Sequence, residues 1–79
     1  MAVNQKRREK LREVVALLNR TQDTVENICD QEQDAMDNTP ESLQESGQYS
    51  AMEAAVDDLG SAAESINDAK NRIKAAIQG

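Results

Sequence analysis

Hydrophobic positions in this chain recur at alternating spacings of three and four in two separate stretches. In the first, Leu11, Val14, Leu18, Thr21, Val25, Ile28, Glu32 and Ala35 trace one line along a helix. Val15, Cys29 and Met36 widen that line on one side and Leu17 on the other. Two of its places, Thr21 and Glu32, are polar, so it weakens toward its C-terminal end. In the second stretch, Met52, Val56, Leu59, Ala63, Ile66, Lys70, Ile73 and Ile77 repeat the alternation. Beside them runs Ala55, Leu59, Ala62, Ile66, Ala69, Ile73, Ala76, in which alanines flank the large residues. Small flanks let a neighbouring backbone approach the low end of the usual range of about 8–10 Å between helix axes.

The apolar stretches 11–36 and 52–77 are equal in length, and at about 1.5 Å per residue each spans roughly 39 Å. Two matched helices joined by a compact connector predict an all-α antiparallel hairpin. The expected layout is one domain over 1–79: a first helix over about 4–37, a capped turn over 38–50 and a second helix over about 51–77. A lone hairpin leaves half of its apolar stripe in water. The pattern therefore predicts a homo-oligomer, most simply an antiparallel dimer forming a four-helix bundle. Its core would be Leu11, Val14, Leu18, Val25 and Ile28 from the first helix, with Val56, Leu59, Ile66, Ile73 and Ile77 from the second.

Composition agrees with helix, since good helix formers dominate and hairpin punctuation is missing. Seventy-nine residues make one small domain, which needs a staple, a metal or a partner chain to bury enough surface. With a single cysteine, Cys29, an internal disulfide is impossible, and a reducing, cytoplasmic setting is the expectation. No apolar run reaches the length of a membrane span or a signal-peptide core.

Charge changes the picture most. All nine basic residues are Lys6, Arg7, Arg8, Lys10, Arg12, Arg20, Lys70, Arg72 and Lys74. From Thr21 to Ala69 there is no Lys or Arg, yet thirteen carboxylates fall there. The ends carry +7 and the middle −13, which gives the formal −6. A hairpin gathers the bases at one end and the acids at the other. The second helix then suits its macrodipole and the first runs against it. Three accounts fit. In the favoured one, two hairpins stack head to tail. In the second, the basic end holds a phosphate-bearing ligand or nucleic acid. In the third, the acidic pole docks on a basic host surface.

Chemistry is sparse. Asp30, Glu32, Asp34 and Glu41 fall at the first, third, fifth and twelfth places of a calcium-loop register, but Ala35 replaces the required glycine and the helical stripe runs on through Met36. With no histidine, a di-iron bundle has no ligand set. Cys29 lies among acids, which disfavour a thiolate, and no Gly-rich phosphate loop exists. These features predict no catalytic residues, no metal and no cofactor. The basic head Lys6, Arg7, Arg8, Lys10, Arg12 and Arg20 is the candidate for anionic groups. Net acidity and the absence of stacking aromatics argue against nucleic acid.

The connector is dense in signals. Thr39-Pro40 reads as an N-cap followed by proline at the first helical place, and Asn38 suits a left-handed helix end. Ser42-x-x-Glu45 and Ser50-x-x-Glu53 are both capping-box patterns. The expectation is a short helical turn over 40–44, a break near Gly47, Leu43 plugging the end of the bundle and Tyr49 lying over it.

From about Asp30 to Ile66, "DQEQDAMDNTPESLQES" followed by "MEAAVDDLGSAAESI" resembles small helical proteins of phages, prophages and gut bacteria. In these an acidic helix, an Asp-Asn-x-Pro-Glu-x-Leu-Gln-x-Ser turn and an acidic Ala-rich helix follow one another. The match includes Asp37, Asn38, Pro40, Glu41, Leu43, Gln44 and Ser46, and this chain departs from it at Gly47-Gln48. The resemblance implies a source class rather than an activity. By analogy with small viral proteins, the expected role is a non-catalytic, oligomeric accessory protein that binds a host component and inhibits host defence by occluding a protein or sequestering a nucleotide signal. The binding surface would be the turn residues with Tyr49. The alternative is a structural or regulatory coiled-coil module, and a nucleic-acid adaptor comes third.

Overall fold

The computed structural model describes residues 4–79. Two long helices, α1 (Gln5–Asp37) and α2 (Gly47–Gln78), run antiparallel and are joined by a short 3-10 turn, Glu41–Leu43. The molecule measures 60 × 15 × 13 Å, with a radius of gyration of 17.8 Å. A compact chain of this length would have about 12 Å. No helix among the described residues is long and apolar enough to cross a membrane.

Local chemistry sets the helix ends. Asn4 caps α1, its side chain accepting from the Arg7 amide at 2.9 Å. At the other end the Asn38 amide donates to the Asp34 carbonyl at 3.0 Å, and Pro40 then bars further helix. Asn38 has φ −92° and ψ 0°, so the expected left-handed cap does not form. α2 begins at Gly47, earlier than the capping box at Ser50 predicted, because Ser46 caps it by accepting from the Tyr49 amide at 3.2 Å. The earlier start has an electrostatic consequence. The first turn of α2 holds no acid and its last turn no base. The macrodipole effect fades within one turn, so α2 gains little from it.

The seam of α2 is the predicted one: Met52, Val56, Leu59, Ala63, Ile66, Lys70, Ile73 and Ile77 are all at least half-buried, and Tyr49 extends the series. That of α1 is rotated. Leu11, Leu18, Val25 and Glu32 take their predicted places, but they alternate with Val15, Gln22, Cys29 and Met36. Val14, Thr21, Ile28 and Ala35, expected in the seam, are exposed, with Val14 at 38% and Ile28 at 45%. The rotation sets Gln22 against α2, where its Oε1 accepts from Lys70 Nζ at 2.9 Å. Thr21 is turned out of the seam, its hydroxyl donating back to the Leu17 carbonyl at 2.8 Å. The Cys29 thiol donates to the Val56 carbonyl at 3.6 Å. These two cross-helix bonds bracket a register that sets Leu11 level with Ile77, Val25 with Ala63 and Met36 with Met52.

Ala63 is the only buried residue among those described. The accessible surface is 5749 Å². A compact monomer of the same mass exposes about 4,700 Å². One hairpin therefore leaves about 1,000 Å² more surface wet than a self-sufficient domain would.

Gly60 sits inside α2 without a packing reason, since a Cβ added there meets nothing within 4 Å. Gly60→Ala is expected to stabilise the protein by about 0.5–1 kcal/mol, by removing the entropy that a helical glycine loses on folding. The gain would be read as a higher urea midpoint at unchanged slope. A lower midpoint would show that another backbone lies against Gly60 in solution.

Candidate functional site

The connector folds as a hydrogen-bonded cap. The Thr39 amide donates to Met36 O at 3.0 Å and its hydroxyl to Ala35 O at 2.8 Å, so Thr39 is tied back onto α1 and does not cap the 3-10 turn. Pro40 precedes that turn, and its carbonyl accepts from the Leu43 amide at 2.8 Å. The Gln44 side chain donates to the Thr39 carbonyl at 3.4 Å, and the Ser46 amide donates to the Leu43 carbonyl at 3.1 Å. Gln44 thus holds the turn together as well as lying on its surface.

Leu43 does not plug the bundle. It is 54% exposed and stands on the rim of a notch of about 320 Å³. The notch is lined by Asn38, Thr39, Pro40, Leu43 and Ser46, with Gln48 and Met52 of α2. It thus gathers Asn38, Pro40, Leu43 and Ser46 of the predicted turn residues. Asp37 and Glu41 are exposed outside it, and Asp37 accepts from the Gln33 side chain at 3.0 Å. Tyr49 is half-buried in the seam. Asp34, Asp37, Glu41, Glu45 and Glu53 are all exposed around this end, which has no base to offset them.

The basic end is less convergent. Arg12 joins Lys74 beside Val15, Ile77 and Gln78 around a hollow of about 230 Å³. Lys6, Arg7 and Lys10 are exposed away from it. Arg8 is half-buried in line with the seam, and its Nε has no hydrogen-bond partner. Arg20, on the order of 20 Å along α1 from Lys6, borders a different groove with Leu17, Thr21 and Thr24. Lys74 is a member of this end that the basic run of α1 does not reveal. Its signal is positional: Arg12 follows Arg8 by four residues, and Lys74 follows Lys70 by four, so the two share one side of the hairpin.

That side is polar along its length. Glu26 of α1 and Gly60 and Asn67 of α2, at equivalent places, line a groove of about 490 Å³ with Gln22, Glu64 and Asp68. The opposite side carries Val14, Thr21, Ile28 and Ala35 together with Ala55, Ala62, Ala69 and Ala76. Helix continues through Asp37, so Asp30 and Asp34 share a face while Glu32 points to the opposite one, and the three do not converge. Among the described residues no group of three or more His, Cys, Asp or Glu is placed to hold a metal.

No protein-family model, curated protein or solved structure matches this chain.

Proposed function

We propose that the protein is a non-catalytic helical binding module that acts as an oligomer and presents its acidic cap to a partner protein. The observation that supports this most is Leu43. A bulky apolar side chain stands exposed on a hydrogen-bonded 3-10 turn, beside a ready-made notch and at an end of the hairpin whose exposed charges are all carboxylates. A connector between antiparallel helices needs neither the turn nor the leucine. An apolar anchor at an end that carries one sign of charge suits a basic protein surface with an apolar pocket. Under the phage-like resemblance, that surface belongs to a host protein which the cap occludes. Protein occlusion is favoured over nucleotide sequestration because the bases of α1 spread along the helix and only Arg12 is gathered with Lys74.

The test is a pull-down from host lysate with the wild type, Leu43→Asp and Arg12→Glu. Leu43→Asp is expected to lose the partner while changing stability by less than about 0.5 kcal/mol, as an exposed position should. Equal capture by Leu43→Asp, or loss with Arg12→Glu alone, would overturn the cap as the binding surface.

A further inference from the structure

We infer that the exposed apolar side of the hairpin is the interface with a second copy of the same chain, packed antiparallel about a two-fold axis near Thr21. This rests on the self-association part of the proposed function and is independent of the cap's partner.

The face is continuous and belongs to both helices. Val14, Thr21, Ile28 and Ala35 each precede a seam residue of α1 by one place. Ala55, Ala62, Ala69 and Ala76 do the same along α2. In an antiparallel pair, equivalent places fall on the same side, as Arg12 with Lys74 and Glu26 with Gly60 show on the polar side. Leu17, 53% exposed, enlarges the apolar side. No base or acid falls within either series; the charges of this side, Lys10, Arg20, Asp58 and Arg72, lie on its outer margin, whereas on the other side Arg12, Glu26, Glu53 and Lys74 adjoin the seam directly.

Area and charge choose the occupant. The hairpin exposes about 1,000 Å² beyond a compact monomer, comparable with the roughly 800 Å² that each partner buries in a stable interface. The charge map then sets the direction. Stacking two hairpins head to head would put +7 on +7 and −13 on −13, whereas head to tail about this axis lays Lys6 to Arg12 of each copy along the acidic stretch 30–36 of its mate and leaves the cap clear.

Head-to-tail symmetry places α1 on α1 and α2 on α2, and the residues are self-complementary under it. Val14 and Ile28 lie seven places either side of Thr21, so a two-fold axis at Thr21 seats Val14 against Ile28 of the second copy. Ala62 and Ala69, and likewise Ala55 and Ala76, are symmetric about a point between Ser65 and Ile66. In the hairpin register that point is level with Thr21 to within about two residues, roughly 3 Å of helix rise. One axis therefore serves both series. Contact at α2 would be close, between alanines, and wider at α1, between Val14, Leu17 and Ile28.

Two measurements test this. Sedimentation equilibrium of the wild type is expected to give twice the 8.7 kDa chain mass, and Ile28→Glu to give the single-chain mass with helical circular dichroism at high concentration. In a Cys29→Ser background, Thr21→Cys is expected to form a covalent dimer on mild oxidation, and Asn19→Cys on the polar side is not. A wild-type monomer, a trimer, or a dimer untouched by Ile28→Glu would overturn the interface. A dimer in which Asn19→Cys crosslinks and Thr21→Cys does not would overturn the face and its axis. Capture of a cap partner has no bearing on these readings, so the two proposals fail separately.

Discussion

Ala63→Leu is expected to lower the thermal midpoint by roughly 5–20 °C, corresponding to about 1–3 kcal/mol of overpacking. Ala63 is the single buried residue among those described, at 8% exposure. It lies in the seam, level with Val25 in the hairpin register, where α1 covers its methyl group. A leucine there must push the helices apart or leave its preferred rotamer, and either response disturbs neighbouring layers at Leu59 and Ile66. Ala54→Leu is the control. Ala54 is exposed on the outside of α2, and leucine is nearly as good a helix former as alanine, so its effect should stay within about 0.5 kcal/mol. Equal midpoints for the two variants would show that the helices stand further apart in solution.

The second large effect concerns the polar pair inside the seam. Replacing Gln22 by leucine and Lys70 by isoleucine together is expected to raise stability by about 1–2 kcal/mol, because both partners of a half-buried hydrogen bond are exchanged for apolar surface. Gln22→Leu alone should gain little, since it leaves the Lys70 ammonium without the acceptor that now lies 2.9 Å away. The double variant has a second expected result. A polar residue at a seam position fixes register and partner number at some cost in stability. Without it, Val15, Leu18, Val25, Ile66 and Ile73 can pair in neighbouring registers, and native mass spectrometry should show a broader set of assemblies. A double variant less stable than the wild type would show that the pair stabilises the hairpin rather than selecting its register.

How legible the fold was differs between the helices. In α2 the seam residues are large and their neighbours are alanines, so one line along the helix stands out and the structure follows it. In α1 the contrast is missing. Val14 adjoins Val15, Ile28 adjoins Cys29 and Ala35 adjoins Met36, so two lines through Leu11, Leu18, Val25 and Glu32 fit nearly equally well. Only the partner helix decides between them, by what it sets against Gln22 and Thr21, and that is not local information. The same limit applied at the cap. Ser42 and Ser50 both offered capping boxes, while Ser46 carried no such signature and yet caps α2. Leu43 looked like a plug because it is apolar, but the 3-10 turn carries it to the rim of the notch, where it is more than half exposed. Its exposure became visible only with the two helix ends in place.

The near-symmetry of the hairpin about Gln44 also bears on how the chain closes. Layers stack outward from Thr39 and Tyr49, so each contact encloses the one before it, and the first loop is by far the shortest. Loop-closure entropy rises with the logarithm of length, and once an inner layer has formed the next adds only a few residues. The hairpin should zip from the acidic cap toward the termini, slowing at the polar step of Gln22 and Lys70, and open in the reverse order. Amide exchange would then be graded along the rod, slowest near Met36 and Met52 and fastest around Arg8 and Ile77. Were two copies to lie head to tail, the frayed end of each would rest on the firm end of the other, and assembly would slow exchange most where a single hairpin holds least.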